Sequence, residues 1–188
     1  MRTTAFCTIS LTEGKARFGN DKGAAREIPF TDLAGLKQLL TDDTALVQGD
    51  LSDFRRAADN VRLAQLGGLL CASAADGWSP EGTALIGLNG NGCAHNNRLY
   101  WNDFVVNGRD TGRASLFVPT LPSIPVCEAA ITLGIRGPVR YIKTDTEGQT
   151  AELLEEMFAS DALLRQIMTV EIADDGVSVN LLSREPAA

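Results

Sequence analysis

Leu116-Phe117-Val118-Pro119-Thr120-Leu121-Pro122-Ser123-Ile124-Pro125, carried on by Ile131-Thr132-Leu133-Gly134-Ile135-Arg136-Gly137-Pro138, packs a loop, a helix and a helix stop into one short segment. Pro119, Pro122 and Pro125 punctuate the loop, because each fixes φ and removes a backbone donor. Pro125 suits the first turn of a helix, and Gly134 suits the left-handed position just past its end. After Gly137-Pro138, Val139 to Thr144 reads as a strand, and Thr146 or Gly148 to Ala159 as an acidic amphipathic helix. Helix, strand and helix in succession point to an α/β sheet.

Working toward the N-terminus, Ala94 to Asn107 reads as a helix stopped by Gly108, and Thr83 to Leu88 as a buried strand running into Asn89-Gly90-Asn91-Gly92. A long helix precedes it: Ser52 offers an N-cap with Asp53 behind it, and Phe54, Ala57, Ala58, Val61, Ala64, Leu69 and Ala72 recur at helical spacing up to Asp76-Gly77. Thr31 can cap a shorter helix through Leu40, Thr3 to Leu11 reads as a strand, and Glu13 to Arg26 as a loop or irregular excursion. Toward the C-terminus, the Asp175-Gly176 pair between two β-rich runs from Gln166 to Ser183 predicts an antiparallel hairpin. The expected architecture is a mixed, mainly parallel sheet with helices on both faces, with the Ile142 strand central and the hairpin closing the chain.

Composition narrows the function classes. With 44% hydrophobic and 22% charged residues, 188 residues can bury the core of a single domain spanning 1–188. A formal charge of −7, with 17 scattered Lys and Arg, offers no field for nucleic acid or anionic lipid. Met1 to Cys7 lacks the apolar core of a secretory leader, and no run approaches the roughly 18 apolar residues of a membrane span, so a soluble, cytoplasmic protein is expected. Cys7, Cys71, Cys93 and Cys127 form no C-x-x-C pair and are expected to be reduced.

The order of the central segments resembles the N-terminal half of the β-ketoacyl synthases, within the thiolase-like superfamily. Arg55-Arg56-Ala57-Ala58 through Ala74-Ala75-Asp76-Gly77-Trp78 looks like that family's alanine-rich helix, and Ala84-Leu85-Ile86-Gly87-Leu88-Asn89-Gly90-Asn91-Gly92 like its next strand and glycine turn. Leu116 to Ile124 and Ile131 to Pro138 are similar to its proline loop and to its leucine-glycine-x-x-glycine-proline turn. The resemblance runs from about Ser52 to Gly148 and implies a layered thiolase-like half. In a working synthase the strand after Gly-Pro leads to a nucleophilic cysteine at a helix start. Here Arg140-Tyr141-Ile142-Lys143-Thr144 leads to Asp145, with no cysteine within ten residues. The synthases also use histidines from a C-terminal half, whereas this chain has only His95.

The resemblance therefore implies a short, catalytically degenerate synthase-like protein acting as an accessory or binding subunit in a fatty-acid or polyketide-type pathway. Its expected partners are a second copy or a full-length synthase, and an acyl carrier protein; no cofactor or metal is expected. The alternative is an acyl hydrolase or transferase using Asp145 or His95. Asp145 could act as a base or nucleophile, or simply cap the following helix beside Glu147. His95, beside Cys93, makes an incomplete zinc set and suits a surface or capping role. The Gly87 to Gly92 turn lacks a phosphate-loop pattern. Leu99-Tyr100-Trp101 and Phe104-Val105-Val106 suit core or a subunit interface rather than an acyl channel, and Glu152 to Glu156 a solvated face.

Overall fold

The computed structural model describes residues 1–23, 25–88, 93–108 and 112–184; the Asn89 to Gly92 turn lies outside them. The chain opens with an antiparallel meander of β1 (Arg2–Ser10), β2 (Lys15–Asn20) and β3 (Arg26–Pro29). Helices α1 (Leu33–Asp42) and α2 (Asp59–Ala74) lead to β4 (Thr83–Leu88). Then come α3 (Ala94–Val106), the short α4 (Ala114–Phe117), α5 (Ser123–Leu133), β5 (Val139–Tyr141) and α6 (Glu147–Ser160). The hairpin of β6 (Gln166–Ala173) and β7 (Gly176–Ser183) ends the described chain, turning at Asp174-Asp175 as the Asp-Gly pair predicts.

All seven strands join one mixed sheet in the order β3-β2-β1-β7-β6-β4-β5. Among the described residues the parallel pairs are those of β4, with β5 on one side and β6 on the other. The sheet is thus mainly antiparallel, contrary to expectation. The cause lies in Lys15–Asn20, read from sequence as irregular: Ala16 and Phe18 are buried while Lys15 and Arg17 face solvent, the alternation of a half-buried strand. The strand expected at the centre also lies at the edge. β5 covers three residues and pairs with β4 alone; Ile142 has left it, though its N–H still reaches Gly87 O at 2.8 Å.

Side chains alternate across the sheet and feed two cores. Leu85, Met168, Val179 and Leu181 face a core shared with α1, α2 and α5, while Ile86, Ile167 and Leu182 face Leu154 and Phe158 of α6. α2 is buried on nearly every side, its polar Asn60 and Gln65 included. Gly67 and Gly68 let it sit that deep: a Cβ at Gly67 would lie 2.9 Å from Val179 Cγ2, and one at Gly68 2.9 Å from Leu133 Cδ1.

Three helix starts differ from the sequence reading. Asp32 rather than Thr31 caps α1, accepting from the Gly35 N–H at 2.7 Å. Ser52-Asp53 leads into a tight 3₁₀ turn at Phe54–Arg56, and α2 begins only after Ala58, with no side-chain cap. Thr146, not Asp145, caps α6. The α5 stop is as expected, Gly134 taking φ 67°.

Candidate functional site

Asp145, singled out from the sequence, lies at the junction of β5 and α6, beside the edge strand of the sheet. Thr146 accepts from the Gln149 N–H at 3.3 Å, and Gln149 Oε1 accepts from the Asp145 N–H at 3.0 Å. Two backbone donors at the helix start are thus satisfied by a reciprocal box. Thr144 and Thr150 hydroxyls lie 2.5 Å apart and tie the approaching chain to the first turn. Glu147 occupies that turn, where a negative charge suits the positive end of the helix. Asp145 is left exposed, its carboxylate used in no cap.

Asp145 lines a cleft of about 330 Å³ with Lys143, Gln149, Glu152, Leu153 and Glu156. Three carboxylates against one ammonium make its wall acidic, and His95 does not reach it. His95 instead sits exposed in the first turn of α3, where its backbone N–H and the Arg98 guanidinium hold Asp174 from the hairpin turn. The Arg98 Nη2 to Asp174 Oδ2 distance is 2.8 Å, and this hydrogen bond, more than the charges of Arg98 and His95, holds the carboxyl below its usual range. The structure therefore does not bring Asp145 and His95 to one site.

None of the four cysteines lines the cleft beside Asp145. Cys7 and Cys71 lie in the core, and burial raises both thiols, Cys71 to about 12. Cys127 is exposed on α5. Cys93, at the N-cap of α3, lines a cavity of about 30 Å³ with Gly87, Pro122, Val126, Tyr141 and Val170, room for about one water. Burial raises its thiol against a weak donor, Asn60 Nδ2 at 3.8 Å, so it stays protonated at neutral pH. Among the described residues no group of three or more His, Cys, Asp or Glu could hold a metal ion.

Sequence reasoning missed the side-chain amides that organise this region, of which Asn60 and Asn96 are buried. Asn60 and Asn96 both donate to Pro119 O, at 3.0 and 3.3 Å, and Asn97 donates to Cys93 O at 2.8 Å. They pin the starts of α2 and α3 to the proline loop. Asparagine inside an apolar helical pattern was the available signal. The Leu99 to Val106 cluster is not core: Trp101 is 61% and Val106 71% exposed, while Tyr100 stacks on Phe104 and edge-on to Phe117. Glu152, Glu155 and Glu156 face solvent as expected.

No protein-family model and no curated protein matches the sequence. Among solved structures, the chain is similar to the ishigamide ketosynthase/chain length factor, with a TM-score of 0.60 and 12% identity over 99% of this chain and 62% of that one. It thus spans less than two thirds of that chain's length. It is also similar to a ketosynthase in complex with its chain length factor from Xenorhabdus doucetiae, with a TM-score of 0.58 and 12% identity over 99% of this chain and 81% of that one. These likenesses show that the chain has a ketosynthase-like α/β fold.

Proposed function

We propose that this chain is a non-catalytic, β-ketoacyl-synthase-like accessory subunit of a fatty-acid or polyketide-type pathway, acting in the cytoplasm by association with a second copy of itself or with a synthase. The observation that carries the reading is the β5–α6 junction, where the backbone is built as a regular capped helix start and the residue in the nucleophile's place is an exposed aspartate. A fully solvated carboxylate is a weak nucleophile toward a thioester, and no thiol lines the same cleft. The neighbours of like fold include a ketosynthase in complex with its chain length factor, which agrees with a paired role.

The open edge supplies the surface for pairing. Among the described residues β5 pairs with β4 alone; Ile131 stands 64% exposed on α5 and Leu153 38% exposed on α6, helices that feed the two different cores of the sheet. Apolar groups flanking an unpaired strand are what a partner covers. A twofold contact would use the same patch on both copies. Size-exclusion chromatography with light scattering should give twice the mass of one chain at micromolar concentration, and Ile131→Glu should shift it toward the monomer. A wild-type monomer that stays single when mixed with a ketosynthase of the same source would overturn the reading.

A further inference from the structure

Helix α3 is poorly covered by its own chain. It packs mainly on α4 and on the 3₁₀ turn Val118–Thr120, and of its residues Asn96 alone is buried. Tyr100 meets Phe117 across that contact. The other sides of the helix are not the polar ones of a solvated helix. Trp101 and Val105, one turn apart, are more than half exposed, as is Val106; Leu99 stands exposed one turn from Asp103, and Phe117 and Leu121 carry the apolar surface onto the turn. Helices in folded proteins draw most of their stability from a covered apolar face, and much of this one is uncovered.

The extent of the surface matches a dimer face. These six apolar side chains present on the order of 600 Å², taking roughly 150–250 Å² for each whole aromatic side chain. A standard interface covers ~800 Å² per partner, about 65% of it apolar between identical subunits, so α3 and its turn supply the apolar share of one side. The charge pattern selects the partner. Arg98 is paired with Asp174 at 2.8 Å and Arg113 with Asp103 at 2.7 Å, and α3 and the α4 turn carry no other charged side chain among the described residues, with His95 neutral. The patch is therefore neutral on a chain of formal charge −7. A twofold contact sets each group near its own copy, which is repulsive across an acidic surface and is not so here. A strongly acidic or basic partner would find no charge to complement.

We propose that α3 and the α4 turn form a self-complementary face that a second copy of this chain covers, with Trp101 buried in the contact. No residue of β5, α5 or α6 takes part, so the contact is independent of the edge pairing proposed above. The test follows Trp101 in the chain carrying Ile131→Glu and Trp78→Phe, which has a charge beside the β5 edge and Trp101 as its only tryptophan. As concentration rises from micromolar to near-millimolar, light scattering should show one chain becoming two, and acrylamide quenching of Trp101 should fall severalfold in step. Val105→Glu, at an exposed position, should keep the chain single and Trp101 fully quenchable. Should Trp78→Phe fail to fold, the difference between the spectra of Ile131→Glu with and without Trp101→Phe gives the same readout. Quenching that does not change with concentration would overturn the proposal, whether the chain stays single or pairs through another face. Protection of Trp101 in a single chain, or only on addition of a ketosynthase, would overturn it equally.

Discussion

At the scale of single residues, the chemistry of the chain is set by where its thiols and carboxylates stand. Cys127 is exposed, Cys93 half-buried, and Cys7 and Cys71 enclosed, so iodoacetamide at pH 8 should alkylate Cys127 first and Cys93 slowly. Cys7 and Cys71 should react only after denaturation; rapid labelling of either in the native state would contradict the packing. Asp174 gives an acid-sensitive contact. Its carboxyl is held low by the Arg98 hydrogen bond first, so the stabilisation is present above the ordinary aspartate value and is lost as pH falls through the lowered one. Hydrogen exchange in the first turn of α3 should therefore accelerate below about pH 4. Asp174→Asn should remove that acid step, and an unchanged pH profile would count against the contact. Of the candidate site, the absence of a cysteine near Asp145 was legible in the sequence. The capping residue was not, because Asp145, Thr146 and Glu147 all suit a helix start and only the Gln149 geometry distinguishes them.

At the scale of elements, depth of burial controls which substitutions the fold accepts. Gly67→Val would push side-chain atoms into Val177 and Val179 and should cost about 1–3 kcal/mol in denaturant unfolding. Gly148 lies in the first turn of α6 with only Thr146 Oγ1 within reach of a new Cβ, at 3.9 Å, so Gly148→Ala should add about 0.4–1 kcal/mol. The opposite order of stabilities would contradict the placement of both helices. Elements with strong punctuation were readable: Gly134 ends α5, Asp175-Gly176 turns the hairpin, and Thr83 to Leu88 is a continuous buried strand. β2 was lost because Lys and Arg in Lys15–Asn20 look like loop, although they are the solvent-facing half of an alternating strand. The early start given to α2 came from reading Ser52-Asp53 as a cap, when those residues precede a 3₁₀ turn packed by Phe54. Strand order could not be read at all, since it depends on β1 crossing to pair with β7 at the far end of the chain.

At the scale of the whole molecule, the fold is ketosynthase-like, and the β5–α6 junction, where the proposed function puts the nucleophile's position, is an exposed, capped helix start. On the function proposed above, the chain keeps the scaffold without the condensing chemistry. Restoring a thiol alone should not reverse this. A cysteine at position 145 would stand in water beside Glu152 and Glu156, whose charges disfavour a thiolate, with no histidine in the same cleft. The decisive measurement is intact-protein mass spectrometry of a condensation assay, with an acyl primer, a malonyl-loaded carrier protein and purified chain. Neither the wild type nor Asp145→Cys should yield an elongated acyl product above the protein-free control; condensation by either, in preparations free of any other synthase, would contradict the account.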